Sequence, residues 1–129
     1  MAAIPSRWLA QWSLRFDDPL SDAERFQIND SGIVTMIGGR ASSAEEIQGQ
    51  YMGLLAFAPS GWAKVETYLK ACAPEVADKL DMTGLLARLI AEAVPVGGVP
   101  YEGIWGEVDS SSDLALFERL HDEGRAGFV

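Results

Sequence analysis

The sequence predicts an α/β layered domain with a mixed sheet, and three observations carry that prediction. Helical stripes of apolar residues alternate along the chain with short extended runs, the pattern of a sheet covered by helices. Turn and break signals fall between the runs, at Asn29-Asp30-Ser31-Gly32, Gly38-Gly39, Gly97-Gly98, Pro19, Pro59 and Pro74. The composition is that of a packed chain: 48% of the 129 residues are hydrophobic, with 4 Trp, 5 Phe and 3 Tyr, too apolar and aromatic for a disordered tail. This length suits one domain, 1–129, in which 1–24 forms an N-terminal helical segment and 121–129 a frayed tail.

Taken in order, residues 6–16 place Trp8, Leu9, Trp12 and Phe16 on one helical stripe, stopped by Asp17-Asp18-Pro19. Phe26 and Ile28 then alternate with polar residues, 29–32 supply a turn, and 33–37 continue extended, together a hairpin. Residues 38–43 read as a loop. Residues 48–57 read as the strongest strand, interrupted by Gly49 and Gly53; glycine inside a strand marks a bulge or a place where a ligand nears the backbone. Pro59 opens a helix with Trp62, Val65, Tyr68 and Leu69 as its apolar set, ending near Pro74. A second helix covers 81–93, capped by Asp81 or Thr83, with Leu85, Leu86, Leu89 and Ile90 buried. Short strands are expected at 94–100 and 105–108. A last helix starts at Ser110-Ser111-Ser112-Asp113 and carries Leu114, Leu116, Phe117 and Leu120.

Charge narrows the function. With 19 acidic against 10 basic residues the net charge is −9, which excludes a general nucleic-acid binder because phosphate attraction needs a basic face. One cysteine, Cys72, forms no internal disulfide and reads as a buried thiol. The first residues lack the basic and apolar regions of a signal peptide, and no apolar run approaches the ~20 residues that span a bilayer. The expectation is a soluble cytoplasmic protein without membrane partners.

Candidate chemistry centres on Trp105-Gly106-Glu107-Val108-Asp109. In a strand, Glu107 and Asp109 share a face and present two carboxylates at its C-terminal end, where open α/β sheets bind ligands. Paired carboxylates suit Mg²⁺, a hard cation that takes oxygen ligands and fills its shell with water and phosphate. The plainer alternative is that Asp109 caps the following helix and Glu107 is solvated. Gln48, Gln50 and Tyr51 form a polar cluster that either orients a substrate or pairs with neighbouring loops. Arg40 either donates to a phosphate or is a solvated loop arginine. His121, the single histidine, reads as a surface group, and the Trp8/Trp12 pair as core. The chain has no Walker loop, dinucleotide fingerprint, Cys/His metal spacing or Gly-x-Ser-x-Gly.

The stretch from Glu46 through Gln48-Gly-Gln-Tyr-Met-Gly-Leu-Leu-Ala-Phe57 to Pro59, then Asp81-Met-Thr, then Trp105-Gly-Glu-Val-Asp-Ser110, resembles the C-terminal half of a nucleotidyltransferase. The likeness is to the phosphocholine-cytidylyltransferase-like and sugar-phosphate nucleotidyltransferase group, and the 26–38 hairpin fits it. It implies a partial nucleotide-diphospho-sugar-transferase-like, Rossmann-like layered fold without the nucleotide-binding half. It implies further that Glu107 and Asp109 hold a catalytic Mg²⁺ and that Gly53 lets a sugar or alcohol phosphate approach the backbone. Arg40 would lie near the substrate, with Gln48, Gln50 and Tyr51 lining the acceptor side and Trp105 preceding the metal motif. The family's Gly-x-Gly-x-Arg loop, its following Lys and its central Asp are not in this sequence. Two functions follow as expectations. One is Mg²⁺-dependent transfer of a nucleotidyl group from a nucleoside triphosphate to a phosphomonoester such as a sugar phosphate or phosphocholine, incomplete in this chain alone. The other is a non-catalytic homo-oligomeric binding or assembly module derived from that fold, since exposed strand edges and apolar patches invite a partner.

Overall fold

The computed structural model describes residues 1–5, 7–103 and 105–125. Its strands are β1 (Ala2–Pro5), β2 (Glu24–Ile28), β3 (Val34–Arg40) and β4 (Gly98–Tyr101), and its helices are α1 (Trp8–Arg15), α2 (Pro59–Ala71), α3 (Pro74–Ala77), α4 (Met82–Ala91) and α5 (Ser111–Asp122). The architecture is mixed α/β. The strands form a parallel pair, β1 with β4, and an antiparallel hairpin, β2 with β3. The pairs meet where Ile33 bridges Gly97 and Val34 N donates to Val96 O at 2.8 Å, and Ala2 of β1 is bridged to Leu55.

The main core lies where α4 crosses β3. Phe26, Val34, Ile37 and Leu86 pack there with Ala2 and Ile4 of β1. Burying Leu or Phe in such a core is worth about 2–3 kcal/mol per side chain. Gly98 lies at its tightest point: a Cβ there would stand 2.5 Å from Ile4 Cδ1 and 2.6 Å from Ile28 Cδ1. Two smaller cores flank it. Val65 of α2 meets Leu85 and Leu89 of α4, and Trp8 and Trp12 of α1 meet Ala23, Ala41 and Ile47. The α4 stripe is thus as periodicity predicts, and Trp8 and Trp12 are core.

Local chemistry explains the helix starts. Pro59 holds the first position of α2, Asp81 Oδ1 accepts from Gly84 N at 2.6 Å to cap α4, and Ser110 with Asp113 forms a capping box at α5.

Several expectations are corrected. The stretch 48–57 is not a strand: it runs beside the sheet with bridges at Ile47 and Leu55, held to β2 by Gln48 N donating to Phe26 O at 2.9 Å and by the Gln48 and Gln50 side-chain amides rather than by a continuous ladder. The stretch 105–108 forms no strand either, so a shared strand face is not what brings Glu107 and Asp109 together. Gly38, Gly39 and Arg40 belong to β3 rather than to a loop, because pairing continues to Arg40 opposite Glu24. The 94–100 strand shortens to β4. The N-terminal segment begins with β1 rather than helix, since Ala2 and Ile4 bury against the sheet. Leu9 of the first helical stripe, Trp62 of the α2 apolar set and Leu114 of the last helix are exposed, and Cys72, expected buried, is half-buried. The helix α5 extends to Asp122, and 126–129 of the expected tail lie outside the described residues.

Candidate functional site

The predicted residues fall into two places. Gln48 and Gln50 pin the 48–57 stretch to β2: Gln48 Oε1 accepts from Ile28 N at 2.6 Å, and buried Gln50 exchanges bonds with the Glu24 backbone, Nε2 donating to O at 2.8 Å. Tyr51 is half-buried against the main core, where burial raises its phenol pKa. Gly53 is exposed with φ +79°, a left-handed conformation that favours glycine, and a Cβ there would meet nothing within 4 Å. Arg40 is exposed at the end of β3.

Trp105, Glu107 and Asp109 gather at the seam between α1 and the start of α5, around a residue the sequence reading did not single out. The Arg15 side chain is 1% exposed, and its guanidinium reaches three carboxylates. Nη1 donates to Glu107 Oε2 at 3.1 Å, Nη2 to Asp109 Oδ2 at 2.8 Å, and Nε to Asp113 Oδ1 at 2.9 Å. Nη2 also donates to Asp113 Oδ2 at 3.1 Å. The guanidinium lies 5.2 Å from the Trp12 ring centroid and 5.0 Å from that of Phe16. Trp105 stacks on Trp12 with centroids 5.7 Å apart, and its carbonyl accepts from Gln11 Nε2. The loop is therefore held from α1 by an amide, a stacked ring and a guanidinium, without any strand.

The carboxylates differ in environment. Asp113 is buried, and Arg15 together with Ser110 holds its carboxyl far below the usual aspartate range. Asp113 also accepts from Ser110 N at 3.0 Å, so Asp113 and Ser110, rather than Asp109, close the α5 terminus. Glu107 is pushed up, first by burial and then by the charge of Asp109, against the opposing pull of Arg15. Glu107 and Asp109 side chains are 34% and 64% exposed. Each keeps one oxygen, Glu107 Oε1 and Asp109 Oδ1, with no hydrogen bond from the described residues.

The pair fits a divalent cation in two respects: its donors are hard carboxylate oxygens open to solvent, and three carboxylates around one guanidinium leave an excess of two negative charges. Among the described residues no group of three or more His, Cys, Asp or Glu side chains is arranged to hold a metal ion, so remaining ligands would be water and phosphate. Periodicity held a usable signal for this site. Gln11 and Arg15 fall on the same helical face as Trp8 and Trp12, and polar residues within a buried aromatic stripe need buried partners.

A second feature is a cleft of about 530 Å³ between 55–58, α2 and α4, lined by Phe57, Val65, Leu89 and Val96 with Lys64 at its side. Phe57 and Trp62 meet edge to face beside it, centroids 5.6 Å apart, both exposed. His121 is exposed on α5, as expected of a surface group. Among the described residues no helix is long and apolar enough to cross a membrane.

Compared with known proteins, the chain is similar to CTP:phosphoglutamine cytidylyltransferase of Campylobacter jejuni subsp. jejuni, 29% identical over 119 residues, covering 88% of this chain and 47% of that protein. The chain thus spans about half the length of the curated relative it matches. No protein-family model and no solved structure matches it. The mixed α/β architecture is compatible with part of a nucleotidyltransferase-like fold, and the similarity supports a distant relationship to cytidylyltransferase-like nucleotidyltransferases.

Proposed function

We propose that this chain is the acceptor- and metal-binding half of a Mg²⁺-dependent cytidylyltransferase-like enzyme. The observation that carries the reading is the coincidence of that similarity with a solvent-open carboxylate pair, Glu107 and Asp109, which its motif resemblance implies as metal ligands. In the reaction, a phosphomonoester oxygen attacks the α-phosphate of a nucleoside triphosphate. One P–O bond forms, the α–β bond breaks, and pyrophosphate leaves. Bound Mg²⁺ supplies neutralisation of phosphate charge. The chain's own residues would do the rest. Glu107 and Asp109 would hold the cation through their outward oxygens, while Arg40 and the 48–53 stretch, with the exposed backbone of Gly53, would face the acceptor phosphate. Trp105, stacked on Trp12, would fix the loop. The relative's name makes CTP and phosphoglutamine the first pair to try, beside phosphocholine and sugar phosphates. Such chemistry belongs in the cytoplasm, where nucleoside triphosphates are made.

Calorimetry tests the reading: the chain is titrated with Mg²⁺ and CTP, then with each acceptor. Heat that disappears in Glu107→Ala and Asp109→Ala supports it, and no heat with any combination overturns it.

We propose further that the chain self-associates. Leu54, Phe57 and Trp62 leave apolar surface beside the cleft, and Val99 and Tyr101 are exposed on β4. A monomer by light scattering at working concentration would contradict this.

A further inference from the structure

We propose that the side of β2 turned away from α4 is a phosphate-binding surface, with Arg25 as its anion-holding group and Gln27 beside it. The surface needs no cation and does not involve the Glu107/Asp109 pair. That the phosphate belongs to the acceptor rests on the reading above.

The sheet register puts the two side chains together. Glu24 lies opposite Arg40, Phe26 opposite Ile37, Gln27 opposite Met36 and Ile28 opposite Val34, so the extra residue at each irregularity belongs to β3. β2 therefore keeps its alternation. Phe26 and Ile28 pack into the main core with Leu86 of α4, which turns Arg25 and Gln27 to the other side. On β3 that side is cleared by Gly39, φ +77°. The Arg25 guanidinium lies across it: a Cβ there would stand 2.7 Å from Nη2 and 3.5 Å from Cζ and Nε.

What Arg25 lacks is an acceptor. The residue is half-buried, its Nε is buried, and no group of the described residues accepts a hydrogen bond from its side chain. The chain carries 19 Asp and Glu, yet among the described residues none forms an ion pair with Arg25. The Gln27 side chain, also half-buried, has no hydrogen bond from them either. Comparable groups elsewhere are committed: Arg15 to three carboxylates, Gln48 and Gln50 to the β2 backbone. A desolvated guanidinium without an acceptor is costly, and such an orphan in a folded protein calls for a partner.

The donors select that partner. A guanidinium fork matches two oxygens of one oxyanion. A carboxylate is then used up, whereas a phosphate monoester keeps a third terminal oxygen for the Gln27 amide. At net −9 the molecule as a whole repels anions, so binding has to come from this desolvated contact and not from the overall field.

An arginine that only covers the sheet with its aliphatic stem would leave ligand binding untouched, which separates the two roles. The probe is phosphocholine, added to the whole chain without Mg²⁺ or CTP and followed on the arginine Nε–H resonances. The Arg25 resonance, identified by its absence in Arg25→Lys, should move to saturation; this readout on the unaltered chain is independent of how the variants fold. Arg25→Lys keeps the charge and loses the fork, and is expected to weaken binding at least about tenfold, the worth of one charge-assisted bond. Gln27→Ala should weaken it about threefold. Lys70→Gln, which removes an exposed charge on α2, should leave it unchanged. Inorganic phosphate should move the same resonance, and acetate should bind more weakly than either. Full-strength binding in Arg25→Lys, an equal loss in Lys70→Gln, an Nε–H that stays in place at saturation, or acetate binding as well as phosphate would overturn the inference and leave the metal reading to its own titration. Inorganic phosphate moving the resonance where phosphocholine does not would overturn the assignment to an acceptor. Failure of the unaltered chain to bind either phosphate would overturn the site itself, whatever Mg²⁺ and CTP do.

Discussion

Aromatic side chains are used differently at the two ends of this molecule. At the α1–α5 seam, Trp8, Trp12 and Trp105 interlock with one another and with charged groups: Trp8 Nε1 donates to Ile47 O at 3.0 Å and Trp12 Nε1 to Asp22 Oδ2 at 3.1 Å. At the cleft between α2 and α4, Phe57 and Trp62 touch only edge to face and stay in solvent. The Trp8 and Trp12 ring nitrogens at the seam are both given partners, so these rings are structural and the seam's spare capacity is charge. The cleft keeps apolar surface in reserve, which contributes little to folding and is available for contact.

The sharpest way to break this comparison is to truncate one ring at each end. Trp12→Ala should cost about 3–5 kcal/mol, the range for large buried aromatics, whereas Trp62→Ala should stay within about 0.5 kcal/mol, as surface substitutions do. Urea midpoints of the two variants measure the difference, and equal losses would erase the contrast.

Arg15→Ala comes next. Removing one partner of a buried ionic cluster leaves uncompensated charge, at about 3 kcal/mol. A thermal melt reads the loss, and the Asp113→Asn background should reduce it, because one of the stranded charges is then gone.

A smaller effect is expected from pH. The Asp113 carboxyl titrates below its usual range when folded, because Arg15 and Ser110 favour its charged form. Its contribution is therefore complete above the unfolded aspartate pKa and is lost as pH falls below that value toward the folded one. Asp113→Asn should be less stable at neutral pH and should flatten this acid limb. Glu24 works the other way. Burial, then the charges of Asp81 and Asp22, raise its pKa, so its share of stability falls as pH rises past the unfolded glutamate value. Denaturant midpoints between about pH 2 and 7, spanning the usual carboxylate range, check both slopes.

The smallest change sharpens the cleft side. Ala93, just past α4, has φ 59°, the left-handed region that costs an L-residue about 1 kcal/mol. Ala93→Gly should stabilise the chain by up to about 1 kcal/mol, seen as a raised thermal midpoint with the cleft unaltered.

Much of the fold was legible locally. The stripes of α1, α2, α4 and α5, the hairpin turn at 29–32, and the caps at Asp81 and Ser110 depend on residues within one or two turns of each other. The misreadings share one cause. Residues 48–57 have strand composition, yet Gln48 and Gln50 spend their side-chain amides on β2, and the backbone bonds to β2 and β1 at scattered positions, Gln48 N to Phe26 O and Ala3 N to Leu54 O among them, rather than as a continuous ladder. The site was half legible. Glu107 and Asp109 stand out as a spaced pair, but Arg15, more than ninety positions away, does not.

The sequence by itself determined the existence of α1, α2, α4 and α5, the 26–37 hairpin, the acidic charge and the spacing of the carboxylate pair, because those follow from periodicity, turn chemistry and composition. Only the tertiary structure decided what organises the pair. Its order comes from a buried guanidinium on α1, and which oxygens of Glu107 and Asp109 remain open depends on distances between segments far apart in the chain. No local rule contains such distances; packing of α1 against α5 sets them.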